Sequence, residues 1–305
     1  MMDSKDFITR VIAAEGMKNA EKLKIKDAYM FCLTDTRIDI LSDLDFSECV
    51  RFESMFSNCT YTTIPALDTL DTSNGTNFST MFNSCTNLTT IPALDTSSGI
   101  NFKNMFTSCK KLTTIPDLDT SSGERFDNMF DNCDQITTIP ALDTSRGRVF
   151  TSMFVSCDNL TTIPVLDVSN GVNHSAMFSN CINLTTVQGL DVNNSKNLTG
   201  MFYNCKKLTN LTLYNIRYPI QIGSGTSWGH LLTVESLVNT IKELCTATST
   251  QALTMGDANL EKIANLYCKV LDETNEKKPM ELCESTDEGA MTLAAYAALK
   301  NWQFA

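Results

Sequence analysis

Hydrophobic residues recur in this chain in a pattern that repeats every 24 residues over most of its first two thirds. In one copy, four apolar residues lie at positions i, i+3, i+4 and i+7, namely Phe78, Met81, Phe82 and Cys85. This spacing is that of one stripe along a helix. The pattern therefore predicts a short helix in each copy, with this stripe facing inward.

A run of β-branched residues follows the stripe. Leu88 and Ile91 enclose two threonines, a composition that suits a short strand, and Pro92 ends or edges it because proline cannot donate to a ladder. The segment 95–99, Asp-Thr-Ser-Ser-Gly, then predicts a turn in which small polar side chains cap backbone amides. One copy is thus predicted to form a strand, a turn and a short helix.

The copies are marked by Met-Phe pairs and by a cysteine four residues after each methionine. The pairs begin at Met55, Met81, Met105, Met129, Met153, Met177 and Met201. The cysteines are Cys59, Cys85, Cys109, Cys133, Cys157, Cys181 and Cys205. A degraded copy around Met30 precedes them, the first full copy has an irregular spacing of 26, and the last copies fray. Such self-similarity with atypical ends is typical of a solenoid.

The fold class is therefore predicted to be an α/β repeat solenoid of about eight coils of ~24 residues, similar to leucine-rich repeats. Three domains are expected: an N-terminal helical cap in residues 1–27, the solenoid in 28–222, and a small α-rich cap or attachment domain in 223–305. In the last domain we expect three helices, from Thr233, from Asp257 through Leu271 and from Thr292 to Asn301, with a strand at Ala252–Met255.

Composition and charge limit the class of partner. The 305 residues carry a formal net charge of −11, which makes a nucleic acid partner unfavourable because phosphate backbones need clustered Lys and Arg. No stretch of about 18 apolar residues predicts a membrane span. The first 17 residues show no secretory signal peptide.

Seven of the 12 cysteines occupy the same inward position in consecutive copies. In-register side chains on parallel strands hold their Cβ atoms too far apart for relaxed disulfides, and a straight column does not converge on a metal as a tetrahedral site requires. The pattern favours a buried column of reduced thiols that behave as small hydrophobes.

A second column is formed by the aspartates of the turn, Asp95, Asp119, Asp143, Asp167 and Asp191. Stacked carboxylates repel one another, so each requires backbone amides, solvent or a cation. Capping of the turn is the favoured interpretation. Calcium at Asp95, Asp119, Asp143 and Asp167 is the weaker alternative, because the glycine-aspartate nonapeptides of calcium-binding coils are absent.

No catalytic constellation and no cofactor site is evident. The chain has two histidines, and His174 replaces the inward phenylalanine of its copy, which favours a substitution within the core over a base. The glycine-rich segment 223–229 lacks the Lys-Ser/Thr ending of a phosphate-binding loop. The binding surface is assigned to exposed positions, on threonines and on variable charged residues: Thr90, Thr114, Lys103, Lys111, Arg146 and Arg148.

The motif Met-Phe-x-x-Cys-x-x-Leu followed by Leu-Asp-Thr-Ser resembles the BspA-like leucine-rich repeats and the 26-residue repeats of bacterial surface proteins. The resemblance covers residues 28 to about 214. The C-terminal segment, with Leu253-Thr-Met-Gly-Asp-Ala-Asn-Leu and a closing Leu-Lys-Asn-Trp, is similar to tails that follow such repeats in gut phages and prophages. The resemblance implies surface exposure and adhesion to proteins or glycans, with no enzymatic residues.

We therefore expect a non-enzymatic binding or structural protein, a phage or prophage virion component such as a fibre, decoration or host-contact protein. It would be made in a bacterial cytosol, where thiols stay reduced, and would bind a protein or glycan on a bacterial or host surface and other virion proteins through its C-terminal domain. A bacterial cell-surface adhesin is the alternative. A glycan hydrolase is a remote one, because it needs paired carboxylates in a cleft.

Overall fold

The computed structural model describes residues 23–28, 44–64, 67–217, 220–222, 251–255, 267–270, 280–283, 291–292 and 302–304. In the repeat region the chain winds as a stack of parallel coils. Residues one copy apart form parallel bridges: Asp27↔Arg51, Arg51↔Asn77, Asn77↔Asn101, Asn101↔Arg125, Arg125↔Val149 and Val149↔Asn173. The predicted repeat solenoid is thereby confirmed as the fold class. The N-terminal helix and the copy around Met30 lie outside the described residues, so the coil count and the domain bounds stay predictions.

The helix predicted for each coil is wrong in the coils that the structure describes. From Phe78 to Cys85, alternate amides donate to the next coil: those of Phe78, Thr80, Phe82 and Ser84 reach carbonyl oxygens of that coil at 2.7–2.9 Å. The amides between them, of Met81, Asn83 and Cys85, donate to the carbonyl three residues back at 3.0–3.2 Å. A helix satisfies its amides within itself, whereas this segment is a series of tight turns that shares its hydrogen bonds with its neighbour.

The turns require residues in the left-handed region. Thr80 has a φ of 57° and Ser84 a φ of 61°, and the same two positions recur with positive φ in each described coil up to Asn180. The residue before each of the seven repeat cysteines is Asn or Ser, and asparagine is among the residues that tolerate this region best. The apolar spacing thus gave the buried face correctly, and the Asn/Ser positions are the signal that distinguished turns from a helix.

The predicted strand in each coil is also absent from most coils. Thr89 and Thr113 each donate one backbone hydrogen bond to the preceding coil, at 2.9 and 3.2 Å, but no strand forms there. Regular pairing appears where the proline is lost: β3 (Thr186–Asp191), with Val187 and Gln188 in place of Ile-Pro, pairs in parallel with β4 (Asn210–Tyr214). In the other coils, proline has no backbone N–H and so cannot donate the hydrogen bond that a ladder needs.

The remaining strands lie at the two ends of the chain. They are β1 (Leu23–Lys24), β2 (Leu44–Asp45), β5 (Ile220–Ile222), β6 (Gln251–Met255), β7 (Tyr267–Val270), β8 (Met280–Cys283), β9 (Met291–Thr292) and β10 (Trp302–Phe304). β1 pairs with β2 in parallel. β6 lies between β5 and β10 in a parallel sheet, whereas β7 pairs in antiparallel fashion with β8 and β9.

The C-terminal predictions are partly corrected by these strands. The strand expected at Ala252–Met255 is confirmed by β6. The helix expected through Leu271 is wrong at β7, and the helix expected from Thr292 is wrong at its first residue, which ends β9. The described residues after 222 are all in strands, so an α-rich domain is not confirmed there. The helix predicted from Thr233 lies outside the described residues.

The core is built of two columns of stacked aromatic rings. One contains Phe52, Phe78, Phe102, Phe126 and Phe150 and continues to His174, with ring centroids 5.3–5.8 Å apart. The other runs through Phe56, Phe82, Phe106, Phe130, Phe154, Phe178 and Phe202 at 5.5–5.6 Å. All of these rings are fully buried, which confirms the predicted inward stripe.

A glycine in each regular coil makes room for the first column. A Cβ atom on Gly123 would lie 2.5 Å from Cζ of Phe126 and 2.9 Å from the carbonyl oxygen of Thr120. Contacts this short are forbidden, so the ring and the glycine are paired by packing. In a late coil both change together, to Ser195 and Leu198.

Candidate binding surface

The cysteine column is buried, and its thiols donate hydrogen bonds to backbone carbonyl oxygens. The thiols of Cys85, Cys109, Cys133, Cys157, Cys181 and Cys205 each donate to a phenylalanine carbonyl of the preceding coil at 2.9–3.1 Å. The described cysteines are all free thiols. Burial raises the pKa of Cys109 to about 12 and that of Cys133 well above its ordinary value. Protonated, inaccessible thiols are poor nucleophiles, so this column stabilises the fold.

The aspartate column caps the turns. Oδ1 of Asp95 accepts hydrogen bonds from the amide of Ser97 at 3.1 Å and from its hydroxyl at 2.6 Å. Asp119, Asp143 and Asp167 make the same two bonds with the serine two residues on. The hydrogen bonds from Ser121 lower the pKa of Asp119. In the described residues, no group of three or more His, Cys, Asp or Glu is arranged to hold a metal ion, and the calcium alternative stays an untested prediction.

The two threonines of each Thr-Thr pair have different environments. In some coils the first threonine bonds back to the preceding coil: the hydroxyls of Thr89, Thr113 and Thr185 donate to threonine carbonyl oxygens at 3.0–3.3 Å. The second is exposed in four consecutive coils, at Thr90, Thr114, Thr138 and Thr162. The hydroxyls of this exposed threonine column form no hydrogen bond to any other described residue.

The charged residues proposed for the surface have different partners. Lys103 pairs with Asp127 at 3.2 Å, and the guanidinium of Arg125 binds the same carboxylate through two bonds of 3.1 Å. The Asp127 side chain is 7% exposed, so this group is a partly buried ion-pair network. Lys111 donates to Asn87 at 2.8 Å, whereas Arg146 and Arg148 are exposed. The structure therefore places Lys103 in an ion-pair network with Asp127.

The role of Asp127 was missed from the sequence. Its carboxylate lies between Arg125, two residues before it in the chain, and Lys103, one coil before it. The contact with Lys103 becomes visible only when the copies are stacked. An aspartate at a position occupied by Ser79 and Ser175 in other copies was the available signal.

His174 lies in the core, as its position in the repeat indicated. It is fully buried and stacks on Phe150 at 5.3 Å, and Nδ1 lies 2.9 Å from the hydroxyl of Ser195. Nε2 has no partner in hydrogen-bonding geometry. Burial lowers the pKa of His174 to about 4, and the Val168 carbonyl opposes this only in part. A neutral ring closed off from solvent is not placed to act on a substrate.

In the described part of the chain, no helix is both long and apolar enough to cross a membrane. A family model described as "Mycoplasma protein of unknown function, DUF285" matches residues 50–163 and 137–222, which is more than half of the chain. No curated protein matches this sequence. The crystal structure of a T. pallidum leucine-rich repeat protein, TpLRR, is similar over 55% of this chain and 76% of that chain, with 20% identity and a TM-score of 0.39.

Proposed function

Because the chain belongs to the DUF285 family, whose repeats form the solenoid described above, we propose that it is a non-enzymatic scaffold that presents its repeat surface to a macromolecular partner. Stacked coils offer a long surface rather than a cleft. The exposed threonine column supports this proposal most directly, since it repeats one side chain along the rod without an internal contact that explains it.

Columns of exposed residues in this chain differ in how much they vary from coil to coil. At another exposed or half-buried column, Thr86, Lys110, Asp134, Asp158 and Ile182 differ from coil to coil. The copies have therefore diverged where the fold does not restrict the side chain. Four exposed threonines that remain identical, and whose hydroxyls form no hydrogen bond to another described residue, are consistent with a contact made outside the chain.

The partner's chemistry follows from charge and hydrogen-bonding capacity. Threonine hydroxyls both donate and accept, and the flanking residues Pro92, Pro116 and Pro140 are uncharged. A net charge of −11 repels polyanions such as nucleic acids. We propose a protein or glycan on a bacterial or host surface as the partner.

For the biological setting, we propose a virion-associated component of a phage or prophage. The support is the column of reduced thiols, each used as a donor, because such a core folds in a reducing compartment such as a bacterial cytosol. A bacterial cell-surface adhesin uses the same surface in the same way. Fractionation of the source cells distinguishes them: copurification with particles supports the virion component, and recovery from the cell surface supports the adhesin.

Binding of the labelled full chain to intact bacteria and to immobilised host matrix proteins and glycans tests the scaffold proposal. The variant T90A/T114A/T138A is compared with K110A/Q135A, which alters exposed residues elsewhere on the rod. We expect the first to reduce binding at least about tenfold, the equivalent of 1.4 kcal/mol, and the second to leave it unchanged. Equal binding by both variants refutes the assignment of the threonine column.

A further inference from the structure

Two neighbouring layers of the solenoid meet at an unusual boundary. We define the first layer by Thr144, Gly147 and Phe150 and the second by Val168, Gly171 and His174. In each layer the glycine amide donates to the carbonyl three residues back, at 2.8 and 2.9 Å. The ring of the last residue stands close to that glycine. Phe150 and His174 stack across the boundary at 5.3 Å.

Both buried side-chain atoms that lack a hydrogen-bond partner among the described residues lie at this boundary. They are Oγ1 of Thr144 and Nε2 of His174. In the preceding layers the hydroxyls of Thr72, Thr96 and Thr120 donate to an aspartate carbonyl of the next coil at 2.8–2.9 Å. This ladder of hydroxyls stops at Thr144. An unsatisfied buried polar atom destabilises a folded structure, so these two atoms weaken this boundary relative to those before it.

His174 also has no charged neighbour to stabilise a proton. In the coil of His174 and the two coils that flank it, the charged residues close in sequence to the column are Arg148 and Lys196, which are exposed cations, and Asp167 and Asp191 in the turns. The two aspartates accept hydrogen bonds from Ser169 and from the Asn193 amide. Only burial, which lowers it, and the Val168 carbonyl, which raises it, shift the pKa of the His174 ring. An imidazolium here would be a buried charge without a counterion, which is strongly unfavourable.

We propose that the boundary between the Thr144–Phe150 layer and the Val168–His174 layer is an acid-sensitive break point, at which the coils from Val168 onward open while the coils before it stay folded. Opening can remain local because each coil of a solenoid contacts only its neighbours. In the open state His174 is solvated and takes up its proton freely.

The direction and size of the effect follow from linkage. The pKa of His174 is about 4 in the closed state against an ordinary value of 6.5, so the open state binds more protons throughout that interval. Opening is therefore unaffected above pH 6.5 and increases as the pH falls, by up to about tenfold per pH unit. At pH 4.5 the open fraction should exceed that at pH 7.5 on the order of 50-fold.

Thiol labelling of the full chain tests this proposal. A pyridyl disulfide reagent, which reacts at acid pH, is applied at pH 7.5 and pH 4.5, and each labelled cysteine is identified by mass spectrometry. Cys181 and Cys205 lie beyond the break point, and Cys109 and Cys133 lie before it, all four being buried. We expect the labelling rate of the first pair relative to the second to rise on the order of 50-fold at pH 4.5. An unchanged ratio overturns the proposal.

Two non-titrating variants identify the trigger. His174→Leu places in the column the residue that Leu198 already supplies one coil later. H174F/S195G restores the phenylalanine and the glycine of the regular coils, avoiding contact between Ser195 and a larger ring. Both variants should keep the labelling ratio of pH 7.5 at pH 4.5. If both variants fold and still open at acid pH as the native chain does, His174 is not the trigger and the proposal is wrong.

Discussion

The thiol of Cys133 donates a hydrogen bond of 3.1 Å to the carbonyl oxygen of Phe106 in the preceding coil. The same oxygen accepts the amide of Cys109 at 3.0 Å. Both acceptor sites of a buried carbonyl are thereby used, once within the coil and once between coils. This relationship explains why a cysteine suits the position: its side chain is apolar enough for the core and still provides a donor.

Replacing Cys133 separates the contribution of its hydrogen bond from that of its apolar contacts. Cys133→Ala removes the donor and leaves a small void, and we expect a loss of about 1–3 kcal/mol in the free energy of unfolding. Cys133→Ser keeps a donor and should lose less than the alanine variant. Urea unfolding under reducing conditions measures both. If serine costs more than alanine, the hydrogen bond contributes less than apolar contact at this site.

Phe130 should be far more important for stability than the exposed Lys110. Its ring is fully buried between Phe106 and Phe154, at 5.6 and 5.5 Å. We expect Phe130→Ala to lower the free energy of unfolding by about 3–5 kcal/mol and Lys110→Ala to have almost no effect. Similar melting temperatures for the two variants would contradict the described core.

Gly123 and Phe126 should be energetically coupled. We expect Gly123→Ala to cost about 1–3 kcal/mol through overpacking, and Phe126→Leu to relieve part of this cost, as Leu198 does next to Ser195 in the natural sequence. A double-mutant cycle should give a coupling of at least about 1 kcal/mol. Gly200→Ala is the control for coupling, because its Cβ would meet nothing closer than 3.8 Å, although its φ of 64° adds backbone strain, and it should show no coupling to Phe126.

Asp131 should destabilise the fold at neutral pH. Burial raises the pKa of its carboxyl above the ordinary 3.8, so the folded state loses stability as the pH rises through this pKa and the group ionises. Asn83, Thr107 and Val155 occupy the same position uncharged in other coils. Asp131→Asn should therefore raise the melting temperature at pH 7, and the difference should shrink below pH 3.8. A variant that is equally stabilised at pH 3 would point to another cause.

Calcium should not stabilise the chain through its aspartate column. Oδ1 of Asp95, Asp119 and Asp143 already accepts two hydrogen bonds within its own turn, and calcium requires about 6–8 oxygen ligands. Millimolar calcium and a chelator should give the same melting temperature, with magnesium as the control ion. A rise specific to calcium that is lost in Asp119→Asn would support the alternative.

The buried face could be read from the sequence, but the backbone that carries it could not. Phe78, Met81 and Cys85 are inward as predicted because burial depends on apolar spacing, and tight turns can share that spacing with a helix. The destination of each amide depends on the next coil, 24 residues away, which local spacing does not encode. Thr80 and Ser84, with positive φ, mark the difference. Likewise, loss of the proline in the last copies, where Gln188 replaces it, identifies where β3 can form.

The candidate surface was only half predictable. Thr90 and Thr114 were expected at the surface and are exposed, but the different roles of Thr89 and Thr90 depend on which hydroxyl faces the preceding coil. Lys103 looked like a free variable cation, whereas stacking places it beside Asp127. Contacts between neighbouring copies thus determine both the roles of the two threonines and the pairing of Lys103. These contacts can be identified only when the register of the stacked coils is known.

Because the amides from Phe78 to Cys85 bond alternately within their coil and to the next coil, the solenoid can be lengthened or shortened at this segment only by complete coils. A single inserted residue there would shift every later donor away from its acceptor. The 26-residue spacing of the first copy is accommodated elsewhere, near the 3-10 helix Leu67–Thr69. Duplication of complete 24-residue coils would keep the register of these hydrogen bonds, and the segment near Leu67–Thr69 is where a change of fewer residues is already accommodated.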